Sequence, residues 1–368
     1  MNFTYYNPVK IDFGINSIER LPEWIGNRSA LLITSDGFEK RGLVASMCIK
    51  NPQIKQVIHT IQPNPTLTQL RELYVDIDFS SFEVIIALGG GSVIDMAKAL
   101  SIYKDDIVDE PFTSIEKMLF NGYESEEILY KPIIAIPTTA GTGSEVTPWG
   151  TIWDDVNKKK YSIHSNKLWC EVAICDPRLT LTLPRALTIQ TGLDALSHSL
   201  ESIWNVNKSP VSYSYAKEAI PSIIETLPKL ARNLDDLALR SQMMLSALQA
   251  GLAFSNTQTA IAHAMSYYMT LHNGIPHGIA ASMTLPVIAK VAIVQESLES
   301  DLKLCLGNVP VERLEQFLRT LDVSIDFTTY GLTTSDFVAI KESLKETSRS
   351  KNSLIDTDML FELISNEI

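Results

Sequence analysis

The chain has little that would tie it to a membrane, an oxidising compartment or a nucleic acid. No uninterrupted apolar stretch is long enough to span a bilayer. The first residues, Met1 to Pro8, lack the basic-then-apolar pattern of a secretion signal. There are four cysteines (Cys48, Cys170, Cys175 and Cys305), without a CxxC pair or a regular framework. They are expected to pack as small apolar side chains in a reducing compartment. Lysine and arginine total 31 against 43 acidic residues, a net charge of −12. That balance argues against nucleic acid or an anionic membrane as partner. A soluble, cytoplasmic protein is expected. Also missing are a GxGxxG fingerprint, the Lys-Ser or Lys-Thr that closes a Walker loop, internal repeats and low-complexity tracts.

What remains is an ordinary globular composition, 45% hydrophobic and 20% charged over 368 residues. That length accommodates two domains with a core each. Up to about residue 180, short apolar runs alternate with helical patterns, as in a parallel sheet wrapped by helices. Ala30–Thr34 reads as a buried strand, and Ile54–Ile61, Phe82–Leu88 and Pro132–Ile136 read as the strands that follow. A helix is expected from the Ser35–Gly37 turn to about Cys48, and Thr66 to Gln69 has the spacing of a capping box. Trp149–Trp153 and Tyr161–His164 read as a hairpin. From Pro184 onward the periodicity is almost wholly helical, with breaks at Pro210, Asn256, Gly274-Ile-Pro276, Pro310 and Gly331. Phe337, Ile340 and Leu344 mark an apolar stripe. The expected boundary therefore separates residues 1–183 from an all-helical 184–368.

Two strand-to-helix turns carry chemistry. Gly89-Gly-Gly-Ser92 runs from a strand into a helix, so backbone can approach a ligand and helix N–H groups can meet an anion such as a diphosphate. A tight turn with no ligand fits the same residues. Pro137-Thr-Thr-Ala-Gly-Thr-Gly-Ser-Glu-Val-Thr147 sets four hydroxyl side chains at a strand's C-terminal end, where open α/β sheets bind ligands. A Thr-rich capped loop is the plainer alternative.

Further on, Asp194 and His198 in Thr191-Gly-Leu-Asp-Ala-Leu-Ser-His198 are four apart, one helical turn, and share a face. A surface pair has that spacing as well. With His263 and His277 they form a set of nitrogen and oxygen ligands for a divalent ion.

Together these stretches resemble the iron-containing, or group III, alcohol dehydrogenases. The matching residues are Gly89-Gly-Gly-Ser92 with Asp95 and Lys98, Pro137 to Glu145, Thr191 to His198 with Glu201, and Pro276-His277-Gly278. The resemblance runs from Asn7-Pro8 to about Pro286. It implies an α/β fold of the dehydroquinate synthase-like kind: a Rossmann-like N-terminal domain, a helical C-terminal domain and an active site in the cleft between them. It places the metal ligands on Asp194, His198, His263 and His277. The diphosphate contacts fall on Gly90, Gly91 and Ser92, with Asp95 beside them. The adenine, ribose and nicotinamide contacts fall on Thr138, Thr139, Thr142 and Ser144, with Lys160 near the cofactor. Fe²⁺ is the usual ion, and the same donors suit Zn²⁺. Many members carry a second histidine four residues after the first helical ligand; here that position is Tyr267, which is expected to carry the proton or to leave it to a water chain. Where NAD-preferring members place an aspartate after the first strand, this chain has Ser35 followed by Asp36, which leaves both NAD and NADP open.

The implied reaction is hydride transfer between a small primary alcohol or its aldehyde and a nicotinamide, in a chain that can form a homodimer as relatives do. Ser266-Tyr267 and the Gly274–Gly278 turn are similar to the branch containing hydroxyethylphosphonate (phosphonoacetaldehyde) dehydrogenases. A dehydroquinate-synthase-like lyase is a rival, but the metal motifs are flanked by Ala, Leu, Met, Tyr and Ser rather than the basic side chains a phosphorylated substrate needs. A glycerol or maleylacetate type of reductase is another, and a non-catalytic nucleotide-binding scaffold is disfavoured by the intact ligand set.

Overall fold

The computed structural model describes residues 2–103, 116, 119–120, 128–157, 159–345, 347 and 349–367. The chain divides into two compact units. One comprises residues 7–139 and 144–180; the other comprises 1–6, 140–143 and 181–368.

The first unit is built on a six-stranded parallel sheet. Its strands are β1 (Lys10–Phe13), β2 (Ala30–Thr34), β3 (Ile54–Ile58), β4 (Val84–Gly89), β7 (Ile133–Pro137) and β10 (Val172–Cys175), in the order β1-β10-β7-β4-β2-β3. Two short antiparallel pairs accompany it: β5 (Ile102–Tyr103) with β6 (Leu129–Tyr130), and β8 (Trp149–Asp154) with β9 (Lys159–His164). β2, β4, β7 and β10 are buried at every position, so they read as continuous apolar runs rather than alternating ones. One face of the sheet packs Leu32, Ile86, Ile134 and Ile174 against Leu21, Ile25, Val44 and Met47 of the flanking helices.

The sequence differs from the structure in local ways. The helix expected after Thr34 is two, Asp36–Lys40 and Leu43–Lys50, because Gly42 takes a left-handed conformation (φ 74°) between them. β3 stops at Ile58, three residues short of the expected end. Thr66 does cap the helix Leu67–Asp76 by accepting from the Gln69 N–H. The reciprocal half of the box is absent, since the Gln69 amide bonds Thr60 and Gln62 instead. β1 and β10 are not among the strands expected from the sequence: β1 is short and half polar, and β10 is an apolar run of only four residues.

The second unit is helical. Its main helices are Arg185–Ile203, Pro210–Leu230, Leu237–Thr257 and Ile261–Asn273, followed by the short helix His277–Ser282 and further helices from Leu285 to Glu367. Pro210 opens its helix behind a Ser209–Ser212 capping box. The break expected at Asn256 comes two residues later, at Gln258 (φ 64°). Phe337, Ile340 and Leu344 are buried as their spacing implies. Among the described residues no helix is long and apolar enough to cross a membrane.

Candidate metal centre and dinucleotide turn

Three helices bring the centre together. Asp194 and His198 lie one turn apart in the middle of Arg185–Ile203, both buried, so they are not the surface pair their spacing also allowed. The start of this helix is held by the buried Arg240, which donates to the Leu183 and Leu234 carbonyls and to Thr188 Oγ1. His263 occupies the first turn of Ile261–Asn273. That helix ends at Gly274, left-handed at φ 69°, and Pro276 then starts the short helix whose first residue is His277. Gly278 presses this helix onto the Asp194 helix so closely that a Cβ there would lie 1.9 Å from the Gln190 carbonyl oxygen. Gly192 is less constrained, since a Cβ would meet only the Leu227 side-chain tip at 2.7 Å. The glycine of Pro-His-Gly is therefore a packing requirement that sets how closely the His277 helix approaches the Asp194 helix.

Three imidazoles approach one oxygen of Asp194. Nε2 of His263 lies 3.2 Å from Asp194 Oδ1, and Nε2 of His198 and of His277 each lie 3.8 Å from that same oxygen. An ion bound tetrahedrally at the usual nitrogen and oxygen distances separates its ligands by about 3.3 Å. The spacing fits such an ion. Asp194, His263 and His277 form the ligand cluster, their donor atoms lying within 4.8 Å of one another; His198, expected as the fourth ligand, approaches Asp194 but lies outside that cluster.

The imidazoles are oriented from behind. Glu201, fully buried, lies 2.7 Å from His263 Nδ1, and the Ser266 hydroxyl lies 3.3 Å from His277 Nδ1. His198 stacks on Phe254 with ring centroids 3.9 Å apart and on His263 at 4.5 Å. Tyr267, one turn after His263, stacks on the His277 ring at 6.1 Å. Burial opposes charge on His263, but the Glu201 and Asp194 carboxylates outweigh it and push its pKa up to about 10. Burial brings His198 down to about 4, against the pull of Asp194. Burial also opposes ionisation of Asp194 and Glu201, yet the neighbouring histidines hold both below the usual carboxylate range. In the sequence Glu201 stands only as a matching residue. Its spacing, one turn beyond His198, puts it on the ligand helix but does not show that it reaches His263.

Of the residues assigned to the dinucleotide, Ser35, Gly90 and Thr138 follow the C-terminal ends of β2, β4 and β7. Gly90 precedes the helix Gly91–Leu100 in extended conformation, and a Cβ on it would meet Thr139 at 3.0 Å. Ser92 accepts from the Asn64 N–H, and the Thr138 N–H donates to the Gly89 carbonyl. Asp95 and Ser144 are joined to each other: Ser144 Oγ donates to Asp95 Oδ1 at 2.5 Å, and the Thr151 N–H donates to Oδ2 at 3.0 Å. Lys98, fully buried, donates to the carbonyls of Ser144 (2.6 Å), Thr147 (2.8 Å) and Trp149 (2.7 Å). Together Asp95 and Lys98 stitch the Ser144–Thr151 segment to the glycine-turn helix. Ser35 precedes the helix Asp36–Lys40, and the Asp36 carboxylate pairs with Lys40 and lies 3.9 Å from His59 Nδ1. Lys160, in β9, holds its ammonium 5.6 Å from the Trp153 ring centroid. Thr142 belongs to the helical unit.

A parallel sheet whose glycine turn opens a helix, and a helical unit with histidines gathered at one aspartate, are the two parts that a dinucleotide and a divalent ion would each need. The comparisons agree. Residues 8–177 match the family described as iron-containing alcohol dehydrogenase, and residues 188–359 match the C-terminal part of the Fe-containing alcohol dehydrogenase family. The chain belongs to the iron-containing alcohol dehydrogenase family. It is 34% identical over 262 residues to the probable alcohol dehydrogenase EutG of Escherichia coli strain K12, covering 70% of this chain and 65% of that one. It is 32% identical over 279 residues to the NAD-dependent methanol dehydrogenase of Bacillus methanolicus, covering 74% and 71%. Among solved structures, sulfoacetaldehyde reductase from Bifidobacterium kashiwanohense in complex with NAD⁺ superposes with a TM-score of 0.90 at 27% identity, covering 100% of this chain and 98% of that one.

Proposed function

We propose that this protein is a divalent-metal-dependent, NAD(P)-linked alcohol dehydrogenase that interconverts a small primary alcohol and its aldehyde. The observation that carries the reading is the convergence of three imidazole Nε2 atoms on one oxygen of Asp194, in a chain of this family. Asp194, His198, His263 and His277 would hold Fe²⁺ or Zn²⁺. The bound ion would supply Lewis acidity toward the substrate oxygen.

The chain's own side chains do the rest. Gly90, Gly91 and Ser92 offer the diphosphate a helix N-terminus. Thr138, Thr139 and Thr142 bind the cofactor's polar groups, and Lys160 adds a positive charge. Asp95, Ser144 and Lys98 keep the loop in place, because the Ser144 hydroxyl is already taken up by Asp95 and Lys98. A bound nicotinamide would supply the hydride acceptor or donor. Tyr267 Oη relays the alcohol proton on oxidation, passing its own O–H proton to water as it takes the substrate's, and runs the relay in reverse on reduction; its ring lies against His277. Protein of this kind is expected to work in the cytoplasm, without nucleic acid or membrane partners, and as a homodimer.

For substrate we favour phosphonoacetaldehyde and 2-hydroxyethylphosphonate. The Ser266-Tyr267 pair and the Gly274–Gly278 turn support this choice. So does the likeness to a sulfoacetaldehyde reductase, whose named substrate is likewise a two-carbon aldehyde bearing a tetrahedral anion. The test is NADH and NADPH oxidation at 340 nm by Fe²⁺- or Zn²⁺-loaded protein, with phosphonoacetaldehyde, sulfoacetaldehyde, lactaldehyde, dihydroxyacetone and simple aldehydes. A kcat/KM for phosphonoacetaldehyde well above that for the simple aldehydes supports the assignment. A preference for the simple aldehydes refutes the phosphonate, and no turnover with any of them refutes the dehydrogenase.

A further inference from the structure

We infer that Glu201 is a positioning residue for the metal: it fixes the His263 imidazole with Nε2 turned toward the ion and caps the helix that carries it. The inference rests on the reading that this centre holds a divalent ion.

The carboxylate is fully buried and spans two jobs. Oε2 lies 2.7 Å from His263 Nδ1 and accepts the Ala260 N–H at 2.8 Å, while Oε1 accepts the His263 N–H at 3.1 Å. Ala260 stands at the N-cap of Ile261–Asn273 and offers no side-chain cap. Glu201, reaching across from the Asp194 helix, takes up N–H groups there that would otherwise be buried and unpaired. A carboxylate has only lone pairs to offer, so its partner Nδ1 must carry a hydrogen. Once an ion is bound, the lone pair of the neutral ring is then left on Nε2, on the Asp194 side of the imidazole. The same contact raises the electron density of the donor nitrogen, as carboxylate partners of ligating histidines do. It also brings a second negative charge, so that Asp194 and Glu201 together balance the two positive charges of the ion.

Ser266 does a weaker version of this for His277. Its hydroxyl donates to the His263 carbonyl at 2.8 Å, which leaves a lone pair facing His277 Nδ1 at 3.3 Å. The two ligands are thus braced from behind by different groups, one charged and one neutral.

The experiment is Co²⁺ binding to metal-free full-length protein, followed by chelator competition and by the visible absorption of the bound ion. Glu201→Gln keeps the size and one acceptor but faces the cap and Nδ1 with an N–H₂ group. It is expected to weaken Co²⁺ binding by about 10- to 100-fold and to change the visible spectrum. Ser266→Ala is expected to weaken it several-fold less. Nitrogen-15 histidine spectra of the zinc-loaded wild type read the same point without a variant, and should show His263 protonated at Nδ1 with Nε2 on the metal. A Glu201→Gln protein that binds Co²⁺ within two-fold of wild type with the same spectrum would overturn the inference. So would a His263 that holds zinc through Nδ1. Wild-type protein that binds no Co²⁺ would overturn the metal-dependent reading as well.

Discussion

Replacing Gly278 by alanine puts the geometry of the centre under direct strain. The new Cβ would lie 1.9 Å from the Gln190 carbonyl oxygen and 2.7 Å from its carbon, where real contacts stay beyond 3.0 Å. Both obstructing atoms are helix backbone, so no side chain can swing aside. The short helix His277–Ser282 must retreat by about 1 Å, and overpacking of this kind costs about 1–3 kcal/mol. His277 moves with it, whereas a metal ligand tolerates only about 0.2 Å. Gly278→Ala is therefore expected to lower the melting temperature and to weaken Co²⁺ binding by roughly tenfold or more. Gly274→Ala is the control. A Cβ there meets nothing within 4 Å, but the residue is left-handed at φ 69°, so the change costs about 1 kcal/mol through the backbone alone. Thermal unfolding and Co²⁺ competition on both variants separate the two causes. If Gly278→Ala bound Co²⁺ as tightly as wild type, the packing argument would be wrong.

Other consequences follow from the buried polar groups. Lys98→Met leaves three carbonyls without their donor, so stability should fall by roughly 3 kcal/mol or more and the KM for NAD(P)H should rise about tenfold in steady-state kinetics. Burial pushes the Glu145 carboxyl up to about 7 from an ordinary 4.5, the buried Lys98 only partly opposing it. The native state keeps that proton longer than the unfolded chain does. Its contribution to stability is therefore fully present below pH 4.5 and is lost as pH rises through 7, by on the order of 3 kcal/mol. Glu145→Gln should flatten that decline and be the more stable protein at pH 8 in urea titrations. Tyr267→Phe should lower kcat while leaving Co²⁺ affinity within about two-fold, and equal loss of both would remove the proton-carrying role.

How much of this was legible in the sequence depended on whether a residue's partner lay nearby in the chain. The buried strands β2, β4 and β7 announced themselves as apolar runs, and Asp194 and His198 as a one-turn pair. β1 and β10 pair with each other across some 160 residues. Nothing local in Lys10–Phe13 indicates that it is a strand of the sheet. Gly278 could be read as part of a turn, but not as the residue that sets how closely two helices approach, because Gln190 is far away in sequence. Glu201 and Lys98 were visible only as matching residues. Their roles come from hydrogen bonds to His263 and to the Ser144–Trp149 carbonyls, which no spacing rule reaches. Ser144, expected to touch the cofactor, is bonded to Asp95 and Lys98, contacts that no spacing shows.

The central claim is that Asp194, His198, His263 and His277 hold a divalent ion on which cofactor oxidation depends. The most direct test is an Fe²⁺ titration of metal-free protein, with NAD(P)H oxidation by an aldehyde followed at 340 nm alongside Asp194→Ala. The account predicts activity rising to a plateau at one ion per chain in the wild type and no comparable turnover in the variant at saturating Fe²⁺. Full turnover by the metal-free wild type, or by Asp194→Ala, would contradict it.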